Sequence, residues 1–256
     1  MRSQDYSTGY SADLTSYLDR YVAAITGPQD VISIFSRIKA GKRHLWLAFR
    51  IWFNYLEALG FDNNILSVLR KSLPKGANTT NPDLKVPDER AVQKSICALS
   101  KAPRRYKVLY NLLVDSGLRL VEAVDIFNNF KTENAERIGN FYRVEIGRFR
   151  GSKQSFFGYF SEHTFKMLSA GIIEPLSYYP TSRYYGKHDV VRPKYVRKFV
   201  FDTMIGLEVP ESVADFIEGR VPKRVGAKHY MALRRQADNF YGKCASYLKK
   251  LRQEVL

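Results

Sequence analysis

The stretch that most limits how this chain can fold is residues 74–87, Pro-Lys-Gly-Ala-Asn-Thr-Thr-Asn-Pro-Asp-Leu-Lys-Val-Pro, with three prolines and almost no apolar side chains. Such a segment can neither sustain a helix nor bury surface, so it reads as an extended linker. The chain is therefore expected to form two units, residues 1–73 and 88–256, joined by residues 74–87. Those 14 residues could reach roughly 45 Å at about 3.3 Å per residue.

Ahead of the linker, apolar residues recur at helical spacing: Leu14, Tyr17, Leu18 and Tyr21, then Ile32, Phe35 and Ile38, then Leu45 to Leu59, then Ile65 to Leu69. About four helices follow, punctuated by Gly27-Pro28, Ala40-Gly41 and Gly60. The third is apolar nearly all round from His44 to Leu59, which predicts a central helix. Beyond the linker, Asp88-Glu89 supplies a helix cap, Tyr106 to Val114 an apolar helix ending at Gly117, and Leu120 the start of another. The period then changes to two: residues 140–147 and 155–160 read as strands joined by the basic turn Arg148-Phe-Arg-Gly-Ser-Lys153. Helices return after His163, interrupted by a loop at Pro180 to Pro193. The expected fold is mainly α with a small antiparallel β-sheet.

Charge narrows the partner. Against 25 acidic residues stand 41 Lys and Arg, a net charge of +16, and a surplus of this size usually answers a polyanion. Nucleic acid is the leading reading, with a solubility surplus or an anionic membrane surface as the plain alternatives. No apolar run is long enough to span a bilayer, and Met1-Arg-Ser-Gln-Asp has no secretory apolar region, so a cytoplasmic, nucleoid-associated protein is expected. Cys97 and Cys244 have neither disulfide nor metal-ligand spacing and read as buried or partly buried apolar residues.

Residues 194–230 carry the pattern that points to chemistry. Lys194 and Arg197 share a helix face. Residues 199–219 then hold five acids (Asp202, Glu208, Glu211, Asp215, Glu218) and no Lys or Arg, so they read as a spacer packing away from DNA. Within it Val209, Val213, Phe216 and Ile217 form a helical stripe that delivers Gly219-Arg220. Lys223, Arg224, Lys228, His229 and Tyr230 follow. Upstream, Gly117-Leu-Arg119-Leu-Val-Glu122 sets an arginine at a helix start, where it can meet phosphate oxygens bidentately. Each block alone is weak: a first-turn arginine, a basic helix face or one tyrosine among 17 is usually surface or core.

Taken in order, Gly-Leu-Arg-x-x-Glu, basic hairpin, Lys-x-x-Arg, Gly-Arg and Tyr resemble the catalytic domain of tyrosine recombinases, and specifically the archaeal fusellovirus-type integrases. The wider family usually has His-x-x-Arg in the second block and His or Trp before the tyrosine; Lys194 and Arg220 match the fusellovirus-type branch. The resemblance covers about residues 88–250, and the front half matches the core-binding domain only in kind. It implies that Tyr230 attacks the scissile phosphate to form a 3′-phosphotyrosyl link. Arg119 and Arg197 would clamp the non-bridging oxygens, with Lys194 and Arg220 bonding to the same phosphate. The general acid would be Lys153, with Arg150 a close rival on the same turn but a poorer proton donor. Glu122 would either hold Arg119 or face solvent, and His229 would orient or pack.

The chemistry so implied needs no ATP, cofactor or metal. Partners would be double-stranded DNA attachment sites and, on DNA, a homo-tetramer whose contacts use the helix of residues 231–256; packing of that helix on its own domain is the alternative. Free protein would be monomer or weak dimer. The extra segment that often precedes the core-binding domain in this branch is expected to be missing. Two other activities fit the pattern: a type IB topoisomerase, and a non-catalytic DNA-binding excision regulator of the same fold.

Overall fold

A computed structural model describes residues 8–75, 82–150, 153–171, 174–220 and 232–253, the side chains of Thr8, Arg150 and Lys153 excepted. The chain divides into two compact units, Met1–Asp83 and Leu84–Leu256. The fold is mainly helical with one small antiparallel sheet, as the hydrophobic periods predict.

The first unit holds α1 (Thr8–Tyr21), α2 (Pro28–Arg37), α3 (Lys42–Ala58) and α4 (Asn63–Lys71). Pro28 opens α2, where its missing N–H costs nothing, and Asp62 caps α4 by accepting from the Asn64 N–H at 2.7 Å. Val31, Phe35, Leu45, Phe49, Phe53 and Leu66 make its core. The central-helix expectation needs correction: only one face of α3 is fully buried, through Leu45, Ala48, Phe49 and Phe53. Its far end is exposed at Tyr55, and exposed apolar residues continue through Leu59, Phe61, Ile65 and Val68. The chain is apolar there because a surface is left uncovered in this unit, not because a helix is enclosed.

The second unit is built around α6 (Arg104–Ser116), whose Val108, Leu109, Leu112, Leu113 and Val114 are at most 1% exposed. Asp88 caps α5 (Glu89–Ala98) by accepting from the Ala91 N–H. After α7 (Leu120–Asn129) and a 3₁₀ turn (Thr132–Asn134) comes a sheet of order β1-β2-β3: β1 (Glu136–Ile138), β2 (Phe141–Arg150) and β3 (Lys153–Ser161). The short β1 is not predicted; three residues, two of them charged, show no alternation. Strands β2 and β3 also run further than expected, pairing as far as Arg150 with Lys153. A register shift between Glu145 and Arg148 absorbs the odd residue.

Helices α8 (Glu162–Ser169), α9 (Tyr178–Lys187), α10 (Pro193–Gly206), α11 (Glu211–Ile217) and α12 (Leu233–Gln253) complete the unit. Helix α9 replaces most of the loop expected from Pro180 to Pro193. Pro180 lies in its first turn, where a proline breaks no intrahelical bond, so it starts a helix instead of ending one. Helix α12 spends its apolar face at home: Ala237, Tyr241, Cys244, Ala245, Leu248 and Leu251 are all in the core of this unit. Of the two readings open for this helix, that face is the one expected for packing on its own domain. Cys244 is buried but Cys97 is exposed.

A buried polar knot fixes α12. Asp115, wholly buried near the end of α6, accepts from the Ser161 N–H at 2.9 Å and the Ser161 hydroxyl at 2.6 Å, and pairs with Arg252. Arg252 Nε also donates to Asn111 at 3.0 Å, and the Tyr241 hydroxyl donates to the Asp115 carbonyl at 2.8 Å. No helix among the described residues is long and apolar enough to cross a membrane.

Candidate active site: an arginine cluster at three helix ends

The α6–α7 connection sets the first arginine. Gly117 closes α6 in the left-handed region (φ 60), its N–H donating to the Leu113 carbonyl at 3.0 Å. The chain can then reverse within two residues, and Arg119 becomes the N-cap of α7. Glu122, 2% exposed, accepts from the Arg119 N–H at 3.0 Å and from its Nη1 at 2.9 Å. The same Nη1 donates to the Gly219 carbonyl at 2.8 Å. Of the two readings open for Glu122, the geometry is that of a carboxylate gripping Arg119, and the guanidinium is left 24% exposed.

Arg197 lies one turn into α10 and is buried. Its Nη1 donates to the carbonyls of Gly117 (3.0 Å) and Glu218 (2.6 Å), and its Nε sits 3.3 Å from Glu218 Oε2. Its Nη2 is buried without a hydrogen-bond partner among the described residues. Burial, together with the neighbouring Arg119 and Arg220, lowers its pKa to about 10 against the pull of Glu218. A guanidinium with one donor edge spare, held from behind, is arranged to receive an anion.

Arg220 follows α11. Its Nη2 lies 2.9 Å from Glu218 Oε2, its Nη1 3.4 Å from Asp215 Oδ1, and its guanidinium carbon 4.9 Å from the centre of the Phe201 ring. Gly219, at φ 73, brings this turn against β3 so closely that a Cβ on it would stand 2.0 Å from the Ser155 hydroxyl. Lys153 begins the same strand two residues earlier, so its backbone lies within about 7 Å of that contact at strand spacing.

Arg119 and Arg197 open on one cleft of about 770 Å³, which Lys194 also lines. Arg192, Tyr178, Ser182 and Tyr195 complete much of its wall. The structure thus brings together Arg119, Glu122, Lys194, Arg197 and Arg220. Tyr230 and His229 lie outside the described residues, as do the side chains of Lys153 and Arg150.

Residues 199–219 are expected to be a spacer that packs away from DNA and delivers Arg220; the role of its acids inside the site is not foreseen, for Glu218 is wholly buried at the centre of the arginine cluster and Asp215, 6% exposed, flanks Arg220. Three guanidiniums drawn together repel one another, and carboxylates must be folded in with them. Burial pushes the Glu218 carboxyl up to about 7 in spite of Arg197 and Arg220. The available signal was position: Glu218 directly precedes Gly219-Arg220, where a solvated acid has no reason to stand. Arg192 and Tyr178 carried no such signal. No group of three His, Cys, Asp or Glu side chains able to hold a metal ion occurs among the described residues.

The second unit is basic and helical, with guanidiniums anchored around one open cleft. The model of the archaeal phage integrase family matches residues 84–247, well over half of the chain. The chain belongs to that family. No curated protein matches it. Membership carries integrase function, with DNA as the partner.

Proposed function

We propose that this chain is a site-specific tyrosine recombinase that integrates or excises a mobile element of an archaeal virus or plasmid through a 3′-phosphotyrosyl intermediate. The observation that carries this reading is the shared cleft of Arg119 and Arg197. Each guanidinium is anchored by a buried carboxylate and a backbone carbonyl while part of it stays uncommitted. Anchored donors do not reorganise as charge builds on a phosphate, which is the condition for stabilising a pentacovalent transition state.

In this reading the Tyr230 hydroxyl gives up its proton to His229 or to solvent, and its oxygen bonds to phosphorus as the bond from phosphorus to the 5′ oxygen breaks. Lys153, at the hairpin turn, gives its proton to that oxygen, with Arg150 as the rival donor. Arg119, Arg197, Lys194 and Arg220 hold the phosphate, Glu122 fixes Arg119, and His229 orients the nucleophile. The phosphodiester energy is kept in the tyrosyl link, so a second 5′-hydroxyl can reverse the step on another duplex. Residues 88–256 would be the catalytic domain, and residues 1–73 would close over the opposite face of DNA across the linker, inside the host cell.

Assembly would be a homo-tetramer on attachment-site DNA. The exposed apolar side chains of Tyr55, Leu59, Phe61, Ile65 and Val68 offer one surface for contacts between copies. The decisive experiment is incubation with DNA carrying the attachment site, followed by a search for a detergent-resistant protein–DNA adduct. Wild type is expected to form it and Tyr230→Phe to form none; an adduct with the Phe variant overturns the assignment.

A further inference from the structure

Two buried carboxylates serve the arginine cluster, and they are held in different ways. Glu122 accepts hydrogen bonds from both the backbone and the guanidinium of Arg119. Glu218 is 0% exposed, and neither of its oxygens accepts an aligned hydrogen bond among the described residues. Its Oε2 is held only by charge, 2.9 Å from Arg220 Nη2 and 3.3 Å from Arg197 Nε. Its Oε1 is tucked over Gly117, 2.9 Å from where a Cβ would be. An ionised carboxylate kept from water with unsatisfied lone pairs is costly, and a proton relieves that cost.

Among the described residues, the charged groups around it are few. Arg197 faces it from α10, Arg220 and Asp215 from α11 and the residues after it, Arg119 from the head of α7 with Glu122 behind. The α6–α7 turn and β3 contribute Gly117 and Ser155, which do not titrate. Among the described residues, three guanidiniums thus stand against three carboxylates, with Lys194 and Arg192 on the wall of the cleft. Protonation of Glu218 raises the charge of the site by one, which offsets the single negative charge of a phosphodiester.

We propose that Glu218 is a positioning residue that takes up a proton as a phosphate enters the cleft, so that the site gains one positive charge when its substrate arrives. This rests on the reading of the cluster as a phosphate clamp. Ionised, Glu218 keeps Arg197 and Arg220 together in the empty site. The incoming anion competes for the same guanidiniums, an O–H bond forms on Glu218 with a proton from solvent, and no other bond changes. Burial has already brought its carboxyl to about 7, and a neighbouring anion raises it further. Anion binding therefore weakens by up to about tenfold per pH unit above neutrality.

Sulfate is a suitable probe because it does not titrate near pH 7. Calorimetric titration of the full chain with sulfate, in buffers of different ionisation enthalpy from pH 6.5 to 8.5, reads proton uptake directly. Wild type should take up nearly one proton per bound sulfate above pH 7.5. Glu218→Gln, which resembles the protonated form, should take up none and bind with an affinity that no longer falls with pH. Asp215→Asn should keep the uptake, and Glu218→Asp should keep it with a shifted midpoint. Zero uptake by wild type, or the same uptake with Gln at 218, overturns the proposal. If the Gln variant does not fold, an unshifted midpoint in the Asp variant overturns it as well. Failure of the recombinase reading would show instead as a missing phosphotyrosyl adduct, with sulfate linkage intact.

Discussion

Arg197 gives two of its donor groups to protein and keeps one, and that division depends on residues without charge. Gly219 lets the turn carrying Arg220 lie on β3, where even a methyl group would meet the Ser155 hydroxyl at 2.0 Å, and its φ of 73 adds strain for any other residue. Gly219→Ala is expected to abolish adduct formation and cost about 1–3 kcal/mol; adding Ser155→Gly should recover part of the stability, as read by urea unfolding. Glu218 makes a second residue-scale prediction. Its folded pKa lies above the unfolded value, so its contribution to stability is full below about pH 4.5 and is lost as pH rises through 7. At about 1.4 kcal/mol per unit, Glu218→Gln should gain up to about 3 kcal/mol on wild type between pH 4.5 and 7.5. Equal pH profiles for the two proteins would contradict it. At this scale the cations were legible, because phosphate chemistry calls for them beside glycines and helix starts. Glu218 was harder to read: it is one of five acids spread through residues 199–219, and only its place directly before Gly219-Arg220 sets it apart.

At the scale of elements, the fold's second unit is fastened by the knot of Asp115, Ser161, Asn111 and Arg252, which joins α6, the β3–α8 junction and α12. Asp115→Ala strands a guanidinium that is only 4% exposed. A loss of about 3–5 kcal/mol is expected in urea unfolding, with α12 the first element to lose amide protection. Elements with strong periods, α6, α7 and the strands β2 and β3, could be read from the chain. Those that failed did so for identifiable reasons. Strand β1 is three residues long and owes its existence to pairing with β2. Helix α9 contains a proline and a glycine, and its tyrosines are fixed by tertiary stacking, Tyr184 lying 3.6 Å from Tyr106. Helix α12 showed a broad apolar face, but periodicity does not say whose core will bury it.

For the whole molecule, two cores with no residue in common mean that residues 84–256 should fold without the first unit. A single cooperative unfolding transition for that fragment would bear this out, and a molten fragment would refute it. The charge of +16 predicts DNA binding that falls by about a thousandfold or more between 50 and 200 mM salt if six or more phosphates are neutralised. The charge was plain in the chain, because net charge does not depend on how the chain packs.

The contact between Gly219 and Ser155 also bears on how this protein tolerates change. A saturation screen for recombination should find positions 117 and 219, which carry no side chain, as intolerant as the arginines. A search that ranks residues by their chemical groups would pass over both. The clamp is defined as much by where matter is forbidden as by where charge is required.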